Sequence, residues 1–302
     1  MLDRLQSRVL LVTVGVAACG RVNFDLFDPG DGGSDDGSTG VTCWPAWRSQ
    51  TVRLTAPRQL TELGGVQHGD PAPSFDSLTL YYVEEVSDAE IHFATRPDRG
   101  SVWTPHGLIS ELSSPQIDVK LTLSADGLNG VFSSDRTMTN VELWHVTRAS
   151  TSVAFETPTL SLTANLNTGF DDFDPHLSAS GLHLYFAPGL GNGQEIRLGT
   201  RAAVGDAFVL DRTLVELAQP ITYSDPSVSP DELVIVFAAL TSGELFYASR
   251  GSTSVDFGAP VLVPDVDGGG RQTDVEITSD GCELYFSSTR TGPKQIFVST
   301  VM

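Results

Sequence analysis

Four aspartates occur at the same position of a recurring segment, a fixed distance ahead of an aromatic residue that ends an apolar run. They are Asp70, Asp174, Asp225 and Asp274, and Lys120 holds the equivalent position of a further segment. Carboxylates in such a set could bind a sugar, a cation or a peptide end. Two of them could also act as acid and base in the hydrolysis of a glycoside, which requires that one carboxyl group stays protonated.

The same aspartates have a structural interpretation. Each could accept backbone N–H bonds at its own turn, or from a neighbouring segment, and so fix the strand register. A catalytic site on a ring of repeats gives special residues to two or three repeats only, whereas an aspartate at four of five equivalent positions belongs to the repeat. We therefore predict that Asp225 and its equivalents are structural. Lys120 would neutralise neighbouring carboxylates or mark the side that binds a ligand.

The sequence lacks the motifs of common hydrolytic and metal centres. There is no Gly-x-Ser-x-Gly, no phosphate-binding glycine loop, no His-Glu-x-x-His and no Cys-x-x-Cys. Its histidines fall at differing positions of the repeat, which favours scattered structural residues over a metal cluster. From these patterns we predict no catalytic residue, no metal and no cofactor. The histidines are His68, His92, His106, His145, His176 and His183.

The segments that carry the aspartates form a longer repeat. Each contains an apolar strand that ends in aromatic residues, a turn, and a second strand that ends in arginine, as in "LVIVF" followed by "ELFYASR". An outer strand with the pattern aromatic-x-x-Pro follows, and proline is tolerated at a sheet edge. Five copies recur at a spacing of about 50 residues, which is typical of repeat architectures. The sequence therefore predicts five four-stranded sheets.

The two ends of the chain complete each other. The fifth copy stops at Met302 without an outer strand, while residues 54–63 look like an outer strand that precedes the first copy. We predict an all-β fold, a five-bladed β-propeller over residues 43–302, in which the N-terminal strand closes the C-terminal blade. A β-sandwich would explain the strands but not the repeat.

Glutamate and arginine lie six residues apart on one face of the arginine-ended strands. We predict that these pairs link blades or lie at sheet ends as exposed ion pairs, each contributing about 0–1 kcal/mol. The fifth copy, "QIFVSTV", lacks both charges. The pairs are Glu90/Arg96, Glu142/Arg148, Glu195/Arg201 and Glu244/Arg250.

The repeats "DPSVSPDELVIVF" (225–237) and "DVEITSDGCELYF" (274–286) resemble the WD40-like repeat of TolB-type propellers. The resemblance covers residues 54–301, with departures at Lys120 and at Ser180, which replaces the turn aspartate. It implies an exported binding or scaffold module and no particular reaction, because one fold carries many different sites.

The N-terminus has the layout of a bacterial signal peptide over residues 1–18. Arg4 and Arg8 precede a short apolar run, and the sequence "VAAC" before and at Cys19 resembles a lipobox. We predict a lipid on Cys19 and a flexible acidic tether over residues 19–42, rich in Gly, Asp and Ser. Location at the bacterial cell envelope follows, on the periplasmic or the cell-surface face. An ordinary cleaved signal is the alternative.

Charge and cysteine content limit the partners. The net charge of −20 argues against nucleic acid and anionic lipid, so that contact with a membrane would be through the N-terminal lipid alone. Cys43 and Cys282 could form a disulfide in an exported protein, or Cys282 could be a small buried residue. We expect a monomeric, non-enzymatic propeller that binds a protein or carbohydrate ligand. A carbohydrate-active hydrolase or lyase is the alternative.

Overall fold

The computed structural model describes residues 41–64, 66–86, 88–189, 195–217 and 222–302. The predicted signal peptide, Cys19 and nearly all of the tether lie outside the described residues. Within them, no helix is both long and apolar enough to cross a membrane.

The described chain folds into five antiparallel sheets, numbered here as blades 1 to 5. They are preceded by a helix, α1 (Trp44–Arg48), a short strand, β1 (Arg58–Gln59), and a turn of 3₁₀ helix (Thr61–Leu63). Blade 1 contains β2 (His68–Pro73), β3 (Thr79–Val86), β4 (Asp88–Thr95) and β5 (Thr104–Leu108). Blade 2 contains β6 (Asp118–Leu123), β7 (Asn129–Ser134) and β8 (Glu142–Thr147). Blade 3 contains β9 (Asp172–Leu177), β10 (His183–Pro188), β11 (Arg197–Thr200) and β12 (Val209–Thr213). Blade 4 contains β13 (Tyr223–Val228), β14 (Val234–Ala239), β15 (Glu244–Ser249) and β16 (Val261–Leu262). Blade 5 contains β17 (Gln272–Ile277), β18 (Glu283–Ser288) and β19 (Gln295–Thr300).

The N-terminal strand closes the ring, as the sequence predicts. β1 pairs with β19, with Arg58 opposite Val298, so that blade 5 has four strands in the order β1-β19-β18-β17. A disulfide between Cys43 and Cys282 joins the same two parts of the chain and resolves the alternatives for these cysteines. Cross-linking residues so far apart in sequence restricts the unfolded chain strongly. The predicted five-bladed propeller is confirmed.

Blade 2 carries its outer segment in an irregular form. The Glu156 N–H donates to the carbonyl of Thr147 at 2.7 Å, and Thr159 forms the one bridge to His145 in this segment. Pro158 lies between these two contacts and has no N–H to donate, so a regular ladder does not form there. The outer position is nevertheless occupied.

The recurrent aromatic residues lie within the second strand of each blade, which continues beyond them, and they belong to the buried core. They are completely or almost completely buried, which explains why the repeat retains an aromatic residue at this position. They are Tyr82, Phe132, Phe186, Phe237 and Phe286.

The arginine that ends the third strand of blades 1 to 4 packs in the same way each time. Its Nε–H donates to a turn carbonyl over 2.7–2.8 Å, and its guanidinium stacks 4.2–4.5 Å over the ring of an outer aromatic residue. Arg96, Arg201 and Arg250 are buried, so the prediction of exposed ion pairs is wrong for them. The stacked pairs are Arg96–Trp103, Arg148–Phe155, Arg201–Phe208 and Arg250–Phe257.

Blade 5 has no such arginine, and the N-terminal helix replaces it. Val301 stands at the arginine position, while Trp47 of α1 donates its Nε1–H to the Gly281 carbonyl at 2.8 Å. This carbonyl is the equivalent of the one that each repeat arginine binds. Trp44 adds a second bond, from its Nε1–H to the Ser279 carbonyl at 2.9 Å. The N-terminal segment therefore supplies both the outer strand and the missing packing residue of the last blade.

Candidate functional site: the central channel

The five residues of the recurrent position lie on the innermost strands of the five blades, facing one channel. Every one of them has a left-handed backbone conformation, with φ between 49° and 55°. At each, the pairing of the first and second strands of the blade shifts register, so the residue sits on a β-bulge. Aspartate tolerates this conformation better than most residues, which explains its recurrence. The ring consists of Asp70, Lys120, Asp174, Asp225 and Asp274.

Three carboxylates of the ring are close together. Single oxygen atoms of Asp70, Asp225 and Asp274 all lie within 4.8 Å of one another. Asp274 Oδ2 also accepts the backbone N–H of Asp70, in the adjacent blade, at 3.2 Å. Asp225 Oδ2 accepts a bond from the hydroxyl of Ser224 at 2.9 Å. Part of the ring thus makes the backbone and side-chain contacts expected of structural residues.

Both lysines of the sequence lie in this channel. Lys120 Nζ is 3.4 Å from Glu276 Oε2, and Lys294 Nζ is 2.6 Å from Asp274 Oδ2 and 2.7 Å from Glu85 Oε1. Lys294 comes from the turn between β18 and β19 and is not part of the repeat position. A Cβ atom on Gly69 would lie 2.7 Å from Lys294 Nζ, so glycine leaves room there for the ammonium group.

The electrostatic environment gives two neighbouring carboxyl groups, those of Asp70 and Asp274, very different pKa values. Burial, followed by the charge of Asp274, raises the pKa of Asp70 to about 7. Burial acts in the same direction on Asp274, but Lys294 beside it lowers the pKa of this carboxyl to about 2. Burial and the charge of Asp225 raise the pKa of Asp174 well above its usual range. At neutral pH the channel therefore holds one firmly ionised aspartate next to carboxyl groups that retain protons.

The layer next to the ring breaks the fivefold repeat. The residues two positions after the ring residues all differ, and two of them, His176 and Glu276, form a contact of 3.0 Å between Nδ1 and Oε1. The Val228 N–H donates to His176 Nε2 at 3.2 Å. Because Nε2 accepts this hydrogen bond from the backbone and Nδ1 faces Glu276, both ring nitrogens are already engaged within the chain. The sequence indicates that His176 is one of several scattered structural histidines, and no signal in it pairs His176 with Glu276.

The channel opens to solvent through a narrow mouth at the ends of the innermost strands. The pocket there has a volume of about 60 Å³ and is lined by His176 and Glu276 at its base and by Phe75 and Pro230 at its rim. Two larger pockets, of about 330 and 350 Å³, adjoin it in the cleft between blades 1 and 2. The volume available to a ligand is therefore larger in the cleft beside the channel than at the channel mouth.

The fold and this polar channel define the chain as a five-bladed β-propeller. No protein-family model matches it, and no curated protein matches it. Structures of similar fold include RS223-Beta-xylosidase, with 12% identity over 82% of this chain and 97% of that chain and a TM-score of 0.58. The endo-arabinase from Bacteroides thetaiotaomicron VPI-5482 has 12% identity over 83% of this chain and 98% of that chain, with a TM-score of 0.54.

TolB from Acinetobacter baumannii is also similar in structure, with 13% identity and a TM-score of 0.47. The match covers 78% of this chain and only 55% of TolB. At such identities, these likenesses concern the fold alone, and the choice among functions depends on the residues of the site.

Proposed function

We propose that this chain is a non-enzymatic β-propeller that binds a ligand or a protein partner at the bacterial cell envelope. The lipid on Cys19 and the tether over residues 19–42 would hold it at a membrane surface. One observation carries the proposal: Glu276 and Asp274 of the channel are each paired with a lysine of the chain itself, Lys120 and Lys294, behind a mouth of about 60 Å³.

The size of the mouth supports binding outside the channel. Sites for small ligands usually have volumes of about 300–1,000 Å³. The pocket is lined by His176 and Glu276 and by no aspartate of the ring, so a sugar ring in it would meet this contact, of 3.0 Å, before the three clustered carboxylates.

A carbohydrate-active hydrolase is the second candidate, and the separated pKa values of Asp70 and Asp274 favour it. A carboxyl group that retains its proton at pH 7, next to an ionised one, is the arrangement that glycoside hydrolysis needs. The carboxylate that stays ionised, however, is the one bound to Lys294, which reduces its strength as a base or nucleophile.

A panel of polysaccharides separates the two candidates. We expect that the purified protein releases no reducing ends from any member of the panel. Release of reducing ends by the unchanged protein, and its loss in a folded Asp70→Asn variant, would establish the hydrolase and refute the binding module.

The anchor has an independent test in the bacterial host. Changing Cys19 to Ser should move the protein from the membrane fraction to the soluble fraction, because the lipid is attached at this thiol. A variant with Cys43 changed to Ser serves as the control and should remain membrane-bound. An unchanged distribution of the Cys19→Ser variant would contradict the lipid anchor.

A further inference from the structure

Three interfaces between neighbouring blades combine the same two residue types. A tyrosine from the second strand of one blade lies next to the repeat arginine of the next blade. Since the geometry repeats, the three interfaces can be compared by the partners that the tyrosine and the arginine have in each. The three pairs are Tyr285–Arg96, Tyr185–Arg250 and Tyr81–Arg148.

In two of these interfaces the tyrosine hydroxyl donates to a carboxylate of the chain. Tyr285 contacts Glu283 Oε2 at 3.3 Å, and the carboxylate of Glu283 binds both terminal nitrogens of Arg96, at 3.2 and 2.6 Å. The hydroxyl of Tyr185 donates to Glu232 Oε2 at 2.7 Å. A negative charge from the protein thus fills each interface.

The third interface lacks this carboxylate. Thr79 stands at the position of the first glutamate and Gly127 at the position of the second. Arg148 donates to the hydroxyl of Tyr81 at 3.2 Å and to the Gly127 carbonyl at 2.7 Å. Within the described residues no carboxylate forms an ion pair with Arg148, and its remaining N–H groups have no acceptor there.

The position without a carboxylate lies in the cleft between blades 1 and 2. The pockets of about 330 and 350 Å³ between blades 1 and 2 share Thr79, Tyr81 and Arg148 as lining residues. Apolar groups, among them Phe93 and Phe155, line the outer pocket. The cleft therefore presents a guanidinium and a hydroxyl at the junction of two spaces, one of them with an apolar wall.

We propose that this cleft binds an organic carboxylate with an apolar body, whose carboxylate takes the place that Glu283 occupies at Arg96. The ligand accepts bonds from the Arg148 guanidinium and the Tyr81 hydroxyl, and its apolar body contacts Phe93 and Phe155. Arginine recognises carboxylates through paired N–H bonds, as the Arg96–Glu283 contact demonstrates in this chain. The inference rests on the proposed function as a binding module and identifies its ligand class.

Calorimetric titration of the full-length protein tests the site with three probes. N-acetyl-L-phenylalanine represents a peptide carboxyl end, octanoate represents a fatty acid, and N-acetyl-L-phenylalanine amide is the neutral control. We expect at least one of the two acids to bind. If N-acetyl-L-phenylalanine is the tighter acid, its amide should bind at least about tenfold more weakly, because the amide lacks the charge that Arg148 recognises.

Two variants locate the site. Arg148→Gln should abolish binding of the acid, but Arg148 also packs on Phe155, and this variant could lose stability. Thr79→Glu avoids that difficulty, since it supplies a carboxylate from the chain itself. It should abolish binding of the acid at an unchanged or higher melting temperature. Thr104→Glu adds the same charge to an exposed position of the same blade and should bind the acid like the unchanged protein.

The outcomes distinguish this site from the wider proposal. Binding of neither acid at 10 mM, on the order of the weakest affinity worth detecting, would overturn the carboxylate site and leave the non-enzymatic function open to the polysaccharide test. Unchanged binding of the acid to the Thr79→Glu variant would place any carboxylate site elsewhere. Equal binding of acid and amide would show that the charge is not recognised.

Discussion

The two sides of blade 1 differ in how the repeat is completed. Toward blade 5, Arg96 is bound by Glu283 on both terminal nitrogens, and Trp103 packs against Tyr285. Toward blade 2, the equivalent arginine lies in a cleft that has no matching carboxylate. We call the interface with blade 5 closed, because a carboxylate of the chain pairs with its arginine, and the interface with blade 2 open, because none does within the described residues. A position where a repeat omits its own structural partner is a better candidate for a ligand than a position where the repeat is intact.

The closed side is reinforced from the N-terminus. In the turn before β18, the Asp280 carbonyl accepts the backbone N–H of Cys43 at 2.8 Å. The Gly281 carbonyl of the same turn accepts the Nε1–H of Trp47. Arg99 of blade 1 forms an ion pair with the Asp280 carboxylate from the other direction. This turn is therefore held by two separate parts of the chain.

The largest effect should follow the loss of Trp47. Its ring is completely buried and replaces the missing arginine of blade 5, so that Trp47→Ala creates a cavity and leaves the Gly281 carbonyl without its donor. We expect a loss of about 3–5 kcal/mol in the free energy of unfolding, measured by urea denaturation followed by circular dichroism. A loss below about 1 kcal/mol would mean that the N-terminal helix does not seal the ring.

The second effect compares the two sides of blade 1 directly. Glu283→Ala leaves the buried Arg96 without its partner and should lower the free energy of unfolding by about 3 kcal/mol. Thr79→Ala, at the equivalent position on the open side, should change it by less than about 0.5 kcal/mol. Urea denaturation of the two variants measures both values, and equal losses would contradict the distinction between the closed and the open interface.

The third effect concerns the inner edge of blade 1 and depends on pH. The folded chain holds the Asp70 proton up to a pKa of about 7, whereas the unfolded chain releases it near its ordinary value of 3.8. Because the folded state binds more protons between these values, this group lowers stability as pH rises from about 4 to about 7. Asp274 acts in the opposite direction: its stabilising contribution is present above about pH 4 and is lost as the pH falls toward 2.

Asp70→Asn should remove the first of these contributions. Asparagine also tolerates the left-handed backbone, so the variant is expected to fold. Relative to the unchanged protein, it should gain more than about 1 kcal/mol in the free energy of unfolding between pH 4.5 and pH 8. Thermal unfolding at several pH values measures the gain. Parallel curves for the two proteins would contradict the assignment of a raised pKa to Asp70.

The features that the sequence predicts are those that the repeat carries. The five blades, the closing strand and the ring of Asp70, Lys120, Asp174, Asp225 and Asp274 could all be predicted, because equivalent positions of a repeat stay equivalent in space. The side chains that pair with the ring residues could not be predicted in this way. Lys294 comes from a turn outside the ring position, and Glu276 lies in a layer whose five residues all differ, so only the closed fold shows that they lie beside Asp274 and Lys120.

Weak signals for these missed residues exist in the sequence. A chain with only two lysines, one of them on the ring position, draws attention to the other lysine, Lys294. The loss of the arginine from the fifth repeat likewise predicts a substitute from elsewhere, although it does not indicate Trp47.

The smallest effect tests how closely the inner edge of blade 1 is packed around Lys294. Gly69→Ala would bring a methyl group to 2.7 Å from both Lys294 Nζ and Glu85 Oε1, so the ion pair must shift. Both side chains are flexible, and we therefore expect a loss of about 1 kcal/mol in the free energy of unfolding. Gly205→Ala, where no atom lies within 4 Å of the added carbon, is the matched control and should change stability by less than about 0.5 kcal/mol. If both variants unfold at the same urea concentration as the unchanged protein, Lys294 is not confined by Gly69, and the inner edge of blade 1 is as open as its side toward blade 2.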